Sequence, residues 1–175
     1  MKMRYSAYWI CVLMVSILVG CSTHHVEHKQ RPSMPFYYGE LCTRPTQSYL
    51  VSYLRKAQVR VHFLGDHIFI VMPSRLLFKS HSSHLLESSH RVLRMVSQLL
   101  ACYQKMSVEI VGYNSEFLNN GASQSLSQQQ AEQVAHILWR SHIDSRLISG
   151  KGNGAATKYN EAGSCRIEIY TKKLP

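Results

Sequence analysis

From residue 59 the chain alternates apolar and polar positions. Val59, Val61 and Phe63 share one face of a strand, and Arg60 and His62 the other. Gly65-Asp66 supplies a tight turn, after which Ile68, Ile70 and Met72 resume the period of two. The segment therefore predicts a β-hairpin that stops at Pro73. Its second strand also carries Phe69 and Val71, which predicts burial on both faces. The period then lengthens. Leu85, Leu86, Val92, Leu93, Val96, Leu99 and Leu100 recur at helical spacing, with Ser82 or Ser83 able to cap the start and Glu87 placing negative charge near it.

Residues 108–112 read as a short strand, and Asn119, Asn120, Gly121 and Ser123 as a loop. Ser127 and Gln130 have the spacing of a capping box for a second helix, whose inward face is Ala131, Val134, Ala135 and Leu138. Residues 146–149 suggest a strand, glycines follow at 150, 152 and 154, and residues 166–170 form the last strand. The order β-β-α-β-α-β-β predicts an α+β fold, a two-layer sandwich with helices on one face of a mixed sheet. No internal repeat is present.

The amino-terminal part reads differently. Lys2 and Arg4 precede an apolar run over residues 7–19, then Gly20 and Cys21, the layout of a secretory signal. The run is short for a membrane span, which needs about 20 apolar residues. Leu18-Val19-Gly20-Cys21 resembles the bacterial lipobox, which implies that Cys21 is acylated and becomes the first mature residue. Ser22 in the next position implies sorting to the outer membrane, with the domain facing the periplasm. The competing readings are an ordinary signal peptide and an amino-terminal anchor helix. Residues 22–45 hold Pro32, Pro35 and Pro45 among polar and basic residues, a tether and entry loop. The expected layout is a signal over 1–20, a lipidated tether and entry segment over 21–57, and a domain over 58–175.

Cleavage before Cys21 leaves 155 residues (175 − 20), enough for one domain with a core. The formal charge of +10 drops to +8 (10 − 2) when Lys2 and Arg4 leave. A basic exported chain suits anionic envelope surfaces or acidic protein partners. No interleaved basic-aromatic stripe is present, so nucleic acid is not an expected partner. Cys42, Cys102 and Cys165 remain in an oxidising compartment, an odd number. Cys102 ends an apolar helical pattern and reads as a buried thiol, which leaves Cys42 and Cys165 as the expected bridge.

VEIVGYN (108–114), LSQQQAEQV (126–134), LISGKGNG (147–154) and CRIEI (165–169) occur in an order and spacing that resemble the OmpA-like carboxy-terminal domain. The resemblance implies a module that holds peptidoglycan. Members that do so place an Asp just after the Gly-Tyr-Thr segment and an Arg just before the Ala of the second helix. The two clamp the ammonium and carboxylate of diaminopimelate. Here Ser115, after Asn114, and Gln130 stand in those positions. Losing two charge-assisted hydrogen bonds removes on the order of 3–6 kcal/mol, roughly a hundred- to ten-thousandfold in affinity. Glu116 stands one residue along and Arg166 lies in the last strand, where the family usually has two arginines and this chain has Cys165-Arg166. Peptidoglycan binding is thus expected to be weak or absent.

Lipobox, length, basic charge and the degenerate ligand positions together resemble the lipoproteins of the Dot/Icm type IVB secretion systems. That resemblance implies a structural subunit of the outer-membrane core complex, held by its lipid and by other outer-membrane subunits. Phe36, Tyr37 and Tyr38 in the tether are candidate interface anchors, because aromatics bury large area for little entropy. Two other classes compete, a peptidoglycan-binding tether and an enzyme or small-molecule carrier. SGKGNG (149–154) lacks the spacing and the Lys-Ser/Thr ending of a P-loop. His24, His25 and His28, or His81 and His84, are too few to close a zinc shell. Ser127 has no histidine and carboxylate pattern beside it. No catalytic role, metal or cofactor is expected.

Overall fold

The computed structural model describes residues 42–103, 106–117, 119–141, 143–155 and 165–174. Helix α1 (Arg44–Lys56) opens the folded part, with Pro45 in its first turn, where a missing N–H leaves nothing unsatisfied. Arg55 and Lys56 in its last turn suit the negative helix end. Leu50 and Leu54 are buried and join the core. The packed body therefore starts by Cys42, not at residue 58. Prolines and polar residues around two isolated inward leucines concealed a helix that packing, rather than periodicity, stabilises.

Strands β1 (Arg60–Leu64) and β2 (His67–Pro73) form the expected hairpin, with Val61 opposite Ile70. Gly65 in its turn has φ +59°, a conformation glycine adopts without strain. One turn of helix, α2 (Ser74–Leu77), follows. Leu85 and Leu86 then depart from expectation. Phe78 pairs with Leu85 as an isolated bridge, and the Leu86 N–H donates to Leu77 O at 2.8 Å. Helix α3 (Ser89–Ala101) thus starts after them, and neither Ser82 nor Ser83 caps it. Backbone pairing with the preceding segment overrides the helical spacing of these two leucines.

Strand β3 (Met106–Tyr113) leads to α4 (Asn120–Arg140). Asn119 is the cap of α4, its Oδ1 accepting from the N–H groups of Gly121 at 2.8 Å and Ala122 at 3.4 Å. The expected loop is therefore the first turn of the helix, and Ser127 and Gln130 lie in its buried interior instead of at its cap. A 3-10 turn (Ser145–Leu147) precedes β4 (Ile148–Gly152), and β5 (Arg166–Lys173) completes the sheet.

The strand order is β1-β2-β5-β3-β4, antiparallel throughout except for β3 beside β4. Alternate strand residues, among them Val61, Ile70, Ile110 and Ile169, enter one core with Leu54 of α1, Leu93 and Val96 of α3, and Val134 and Leu138 of α4. This is the expected mixed sheet with its helices on one face. Cys42 and Cys102 are bridged, with Cα atoms 5.1 Å apart, and Cys165 is a free thiol. The expected Cys42–Cys165 pair is thereby corrected. Packing of α1 beside α3 brings Cys42 to the end of α3, whereas Cys165 stands at the start of β5.

Helix α4 rides directly on two paired glycines. A Cβ on Gly112 would lie 2.2 Å from Ser127 O, and one on Gly152 would lie 2.3 Å from Gln128 N. The helix also closes the free edge of β4. Gln128 Nε2 donates to Gly150 O at 3.3 Å and its Oε1 accepts from Gly152 N–H at 2.6 Å. Gln124 Nε2 donates to Gly152 O, and Ser127 Oγ accepts from Gly154 N–H at 2.9 Å. The Gln128 amide occupies the place that a peptide unit of a further strand would take.

Candidate functional site

The degenerate ligand positions meet where β3 ends, α4 passes and β5 begins. Asn114 is fully buried. Its N–H donates to Gly154 O at 2.9 Å, and its Oδ1 accepts from Glu116 N–H at 3.0 Å, which turns the chain sharply after β3. Ser115 is exposed beside Cys165, with its N–H 3.4 Å and its Oγ 3.8 Å from Sγ. Gln130 is buried, and its Nε2 donates to Ser82 O at 2.9 Å.

The loop at residues 81–83 closes the other side. Glu116 Oε2 accepts from His81 N–H at 3.1 Å and lies 3.1 Å from His81 Nδ1. Ser83 Oγ donates to Gln129 Oε1 at 3.2 Å, and the His81 ring packs 5.7 Å from Phe117. His81 has φ +53°, a left-handed backbone that tertiary contacts must hold in place. One loop thus ties Glu116 to Gln130. Of the three buried polar side-chain atoms without a partner among the described residues, two lie here, Asn114 Nδ2 as donor and Gln130 Oε1 as acceptor, and the third is Ser74 Oγ. An unsatisfied buried polar atom costs about 1–3 kcal/mol, so a water or a ligand group here would be stabilising.

Neither neighbouring charge replaces the missing pair in this arrangement. The Glu116 carboxylate is turned to His81. Arg166 Nε donates to Glu168 Oε1 at 2.6 Å, and its guanidinium stands 4.1 Å over the Tyr113 ring. Glu168 is buried and also accepts from the Tyr170 hydroxyl. Burial, and then the Glu168 carboxylate, push the Tyr170 phenol well above its ordinary range. This Arg166–Glu168–Tyr170 chain lies on the sheet face opposite the helices; the sequence pointed to Arg166 beside the ligand positions but not to its partnership with Glu168 and Tyr170. Its signal was the alternation Arg-Ile-Glu-Ile-Tyr, which puts three polar residues on one face.

Cys21, Phe36, Tyr37 and Tyr38 lie outside the described residues. Among the described residues no three His, Cys, Asp or Glu side chains converge as metal ligands, and no helix is long and apolar enough to cross a membrane.

Residues 77–166 match the OmpA family. The chain belongs to that family. It is 31% identical over 128 residues to the Escherichia coli (strain K12) protein described as "Probable lipoprotein YiaD", covering 69% of this chain and 58% of that protein. It therefore spans less than two thirds of that relative's length. The fold resembles the cell wall anchor of the T6SS from Pseudomonas aeruginosa, with a TM-score of 0.62 at 22% identity over 75% of this chain and 100% of the other. A MotB-like protein from Desulfovibrio vulgaris gives a TM-score of 0.58 at 18% identity, covering 75% and 94%. At these identities the structural likeness concerns the fold.

Proposed function

We propose that this OmpA-family chain is a non-catalytic, outer-membrane lipoprotein that serves as a structural subunit of a type IVB (Dot/Icm) secretion core complex, the role of the IcmN/DotK lipoprotein. One observation carries the reading. Ser115 and Gln130 replace the charged pair, Glu116 is engaged by His81, and Arg166 by Glu168 and Tyr113. A fold kept intact around a discharged ligand position is maintained for its surfaces, and its affinity for peptidoglycan is low. The 31% identity to a protein described as a lipoprotein supports the lipid-anchored part. The test is purification of the tagged protein from detergent-solubilised envelopes. Elution in a large assembly with other envelope subunits supports the proposal, and recovery of the protein alone opposes it. Cys21→Ser should abolish acyl-chain labelling, and unchanged labelling would remove the lipid anchor.

A second reading, a cell-wall tether, is favoured by Asn114 Nδ2 and Gln130 Oε1. A buried donor and acceptor suit neutral amide or hydroxyl groups of a stem peptide or glycan, and the Pseudomonas aeruginosa look-alike is itself a cell wall anchor. Sacculus pull-down separates the two readings. Weak retention that rises with Ser115→Asp plus Gln130→Arg fits the first, and strong wild-type retention lost in Asn114→Ala fits the second.

A further inference from the structure

Helix α1 and β1 enclose a groove of about 510 Å³ lined by Arg44, Ser48, Arg55, Lys56 and Phe63 among others. Three cations border it and no carboxylate does. None of the three has an ion-pair partner among the described residues, where the pairs join His81 to Glu116, Arg146 to Asp144, and Arg166 to Glu168. Arg44, Ser48, Ser52 and Arg55 recur at helical spacing, so the charge forms one stripe along α1.

Beside the stripe large apolar side chains stand exposed, next to the hairpin turn that also carries Asp66. Phe63 is 45% exposed and Leu64, at the hairpin tip, is 62% exposed. Tyr49 of α1 is exposed as well. Cations flanking exposed aromatic and aliphatic groups match the interfacial zone of a bilayer, where phosphates meet acyl chains. Chain geometry permits the contact. Cys42 follows Cys21 by 21 residues (42 − 21), which span at most about 75 Å when fully extended.

We propose that this groove and the neighbouring hairpin tip dock on anionic phospholipid headgroups of the membrane that holds the lipid anchor. The cations take the headgroup phosphates while Phe63 and Leu64 enter the headgroup layer. The lipid supplies the attachment, and a basic patch beside exposed apolar side chains fixes which face of the domain meets the bilayer. The face bearing α1 and β1 thereby turns toward the bilayer. The anchoring role rests on the lipid-anchored reading above, whereas the groove's affinity for anionic membranes does not require an acyl chain.

The test uses the chain from residue 22 onward, without lipid, which contains every core residue among those described. It is sedimented with vesicles of phosphatidylcholine alone and with vesicles containing phosphatidylglycerol. Retention on the anionic vesicles only, weakened by salt, is expected. Arg55→Gln with Lys56→Gln should weaken it roughly 10- to 30-fold, given about fivefold per surface cation. Leu64→Asp, at an exposed tip, should weaken it independently, and Lys151→Gln with Lys172→Gln should not. Equal binding to neutral vesicles, or an Arg55/Lys56 variant bound as well as wild type, would overturn the proposal. So would failure to bind vesicles alongside tight binding to polyglutamate, which would assign the groove to an acidic protein. Because no acyl chain is present, none of these results depends on whether Cys21 is lipidated.

Discussion

Substituting Gly112 by Ala should displace α4. A Cβ there would stand 2.2 Å from Ser127 O and 3.0 Å from its carbonyl carbon. Ordinary contact begins at 3.4 Å, so helix and strand must part by about 1.2 Å (3.4 − 2.2). The opposing atoms belong to the helix backbone, so no side chain can swing away. Overpacking of this kind costs about 1–3 kcal/mol, and the rigidity of the neighbour puts Gly112→Ala near the top of that range. For a domain of this size the melting temperature should fall by roughly 10 °C. Gly152→Ala should behave alike, since its Cβ would meet Gln128 N at 2.3 Å and Ser127 Oγ at 2.7 Å. Gly150→Ala is the control. It sits two residues earlier on the same strand face, and its Cβ would meet nothing closer than 3.4 Å. It should melt within about 3 °C of wild type, because relief of unfolded-state entropy offsets the small adjustment. Thermal melts followed by circular dichroism measure all three. Gly112→Ala melting with the wild type, or Gly150→Ala falling as far as Gly152→Ala, would refute the account of helix seating.

The cysteine assignment predicts one disulfide-linked peptide joining Cys42 to Cys102 in a non-reducing digest, with Cys165 open to alkylation. Cys102→Ser should lose about 2–4 kcal/mol of stability, and Cys165→Ser far less. The raised Tyr170 phenol makes an alkaline prediction. A group whose folded pKa lies above its ordinary value of 10.0 contributes stability that is complete below that pH and drains as pH rises beyond it. Wild type should therefore lose stability more steeply than Tyr170→Phe above about pH 10, and equal slopes in denaturant titrations would contradict this. Replacing Phe36, Tyr37 and Tyr38 with serine should release the protein from its envelope assembly while leaving acyl labelling intact. Retention in the assembly would exclude the trio as the docking element.

The sheet was legible because its strands advertise themselves. Val61, Ile70, Ile110 and Ile169 each sit in a period-two run bounded by turn residues, and all four reach the core. Helix ends were less legible, since their decisive partners are tertiary. Ser127 and Gln130 have the spacing of a capping box, yet Ser127 is buried over the glycine pair and its hydroxyl serves Gln124 O and Gly154 N–H. Asn119 reads as loop until its amide oxygen is seen to hold two N–H groups. The discharged ligand positions were legible as residue types. That Glu116 turns to His81, and that Cys165 lies beside Ser115, depends on contacts between segments 35 and 50 residues apart. Cysteine connectivity was out of reach for the same reason, because spacing does not reveal which helices pack together.

Gln124 and Gln128 leave the sheet with unequal margins. Beyond β4 the carbonyls of Gly150 and Gly152 and the N–H of Gly152 are already taken by side chains of the same molecule, so an incoming strand finds little to pair with there. Among the described residues the margin at β1 is the one left to accept a strand. Two copies meeting at β1 would use up both open margins at once and could recruit no third by the same means. Strand exchange among crowded copies would end at pairs instead of propagating into fibres, a safeguard against runaway polymerisation written into two glutamines one helical turn apart, Gln124 and Gln128.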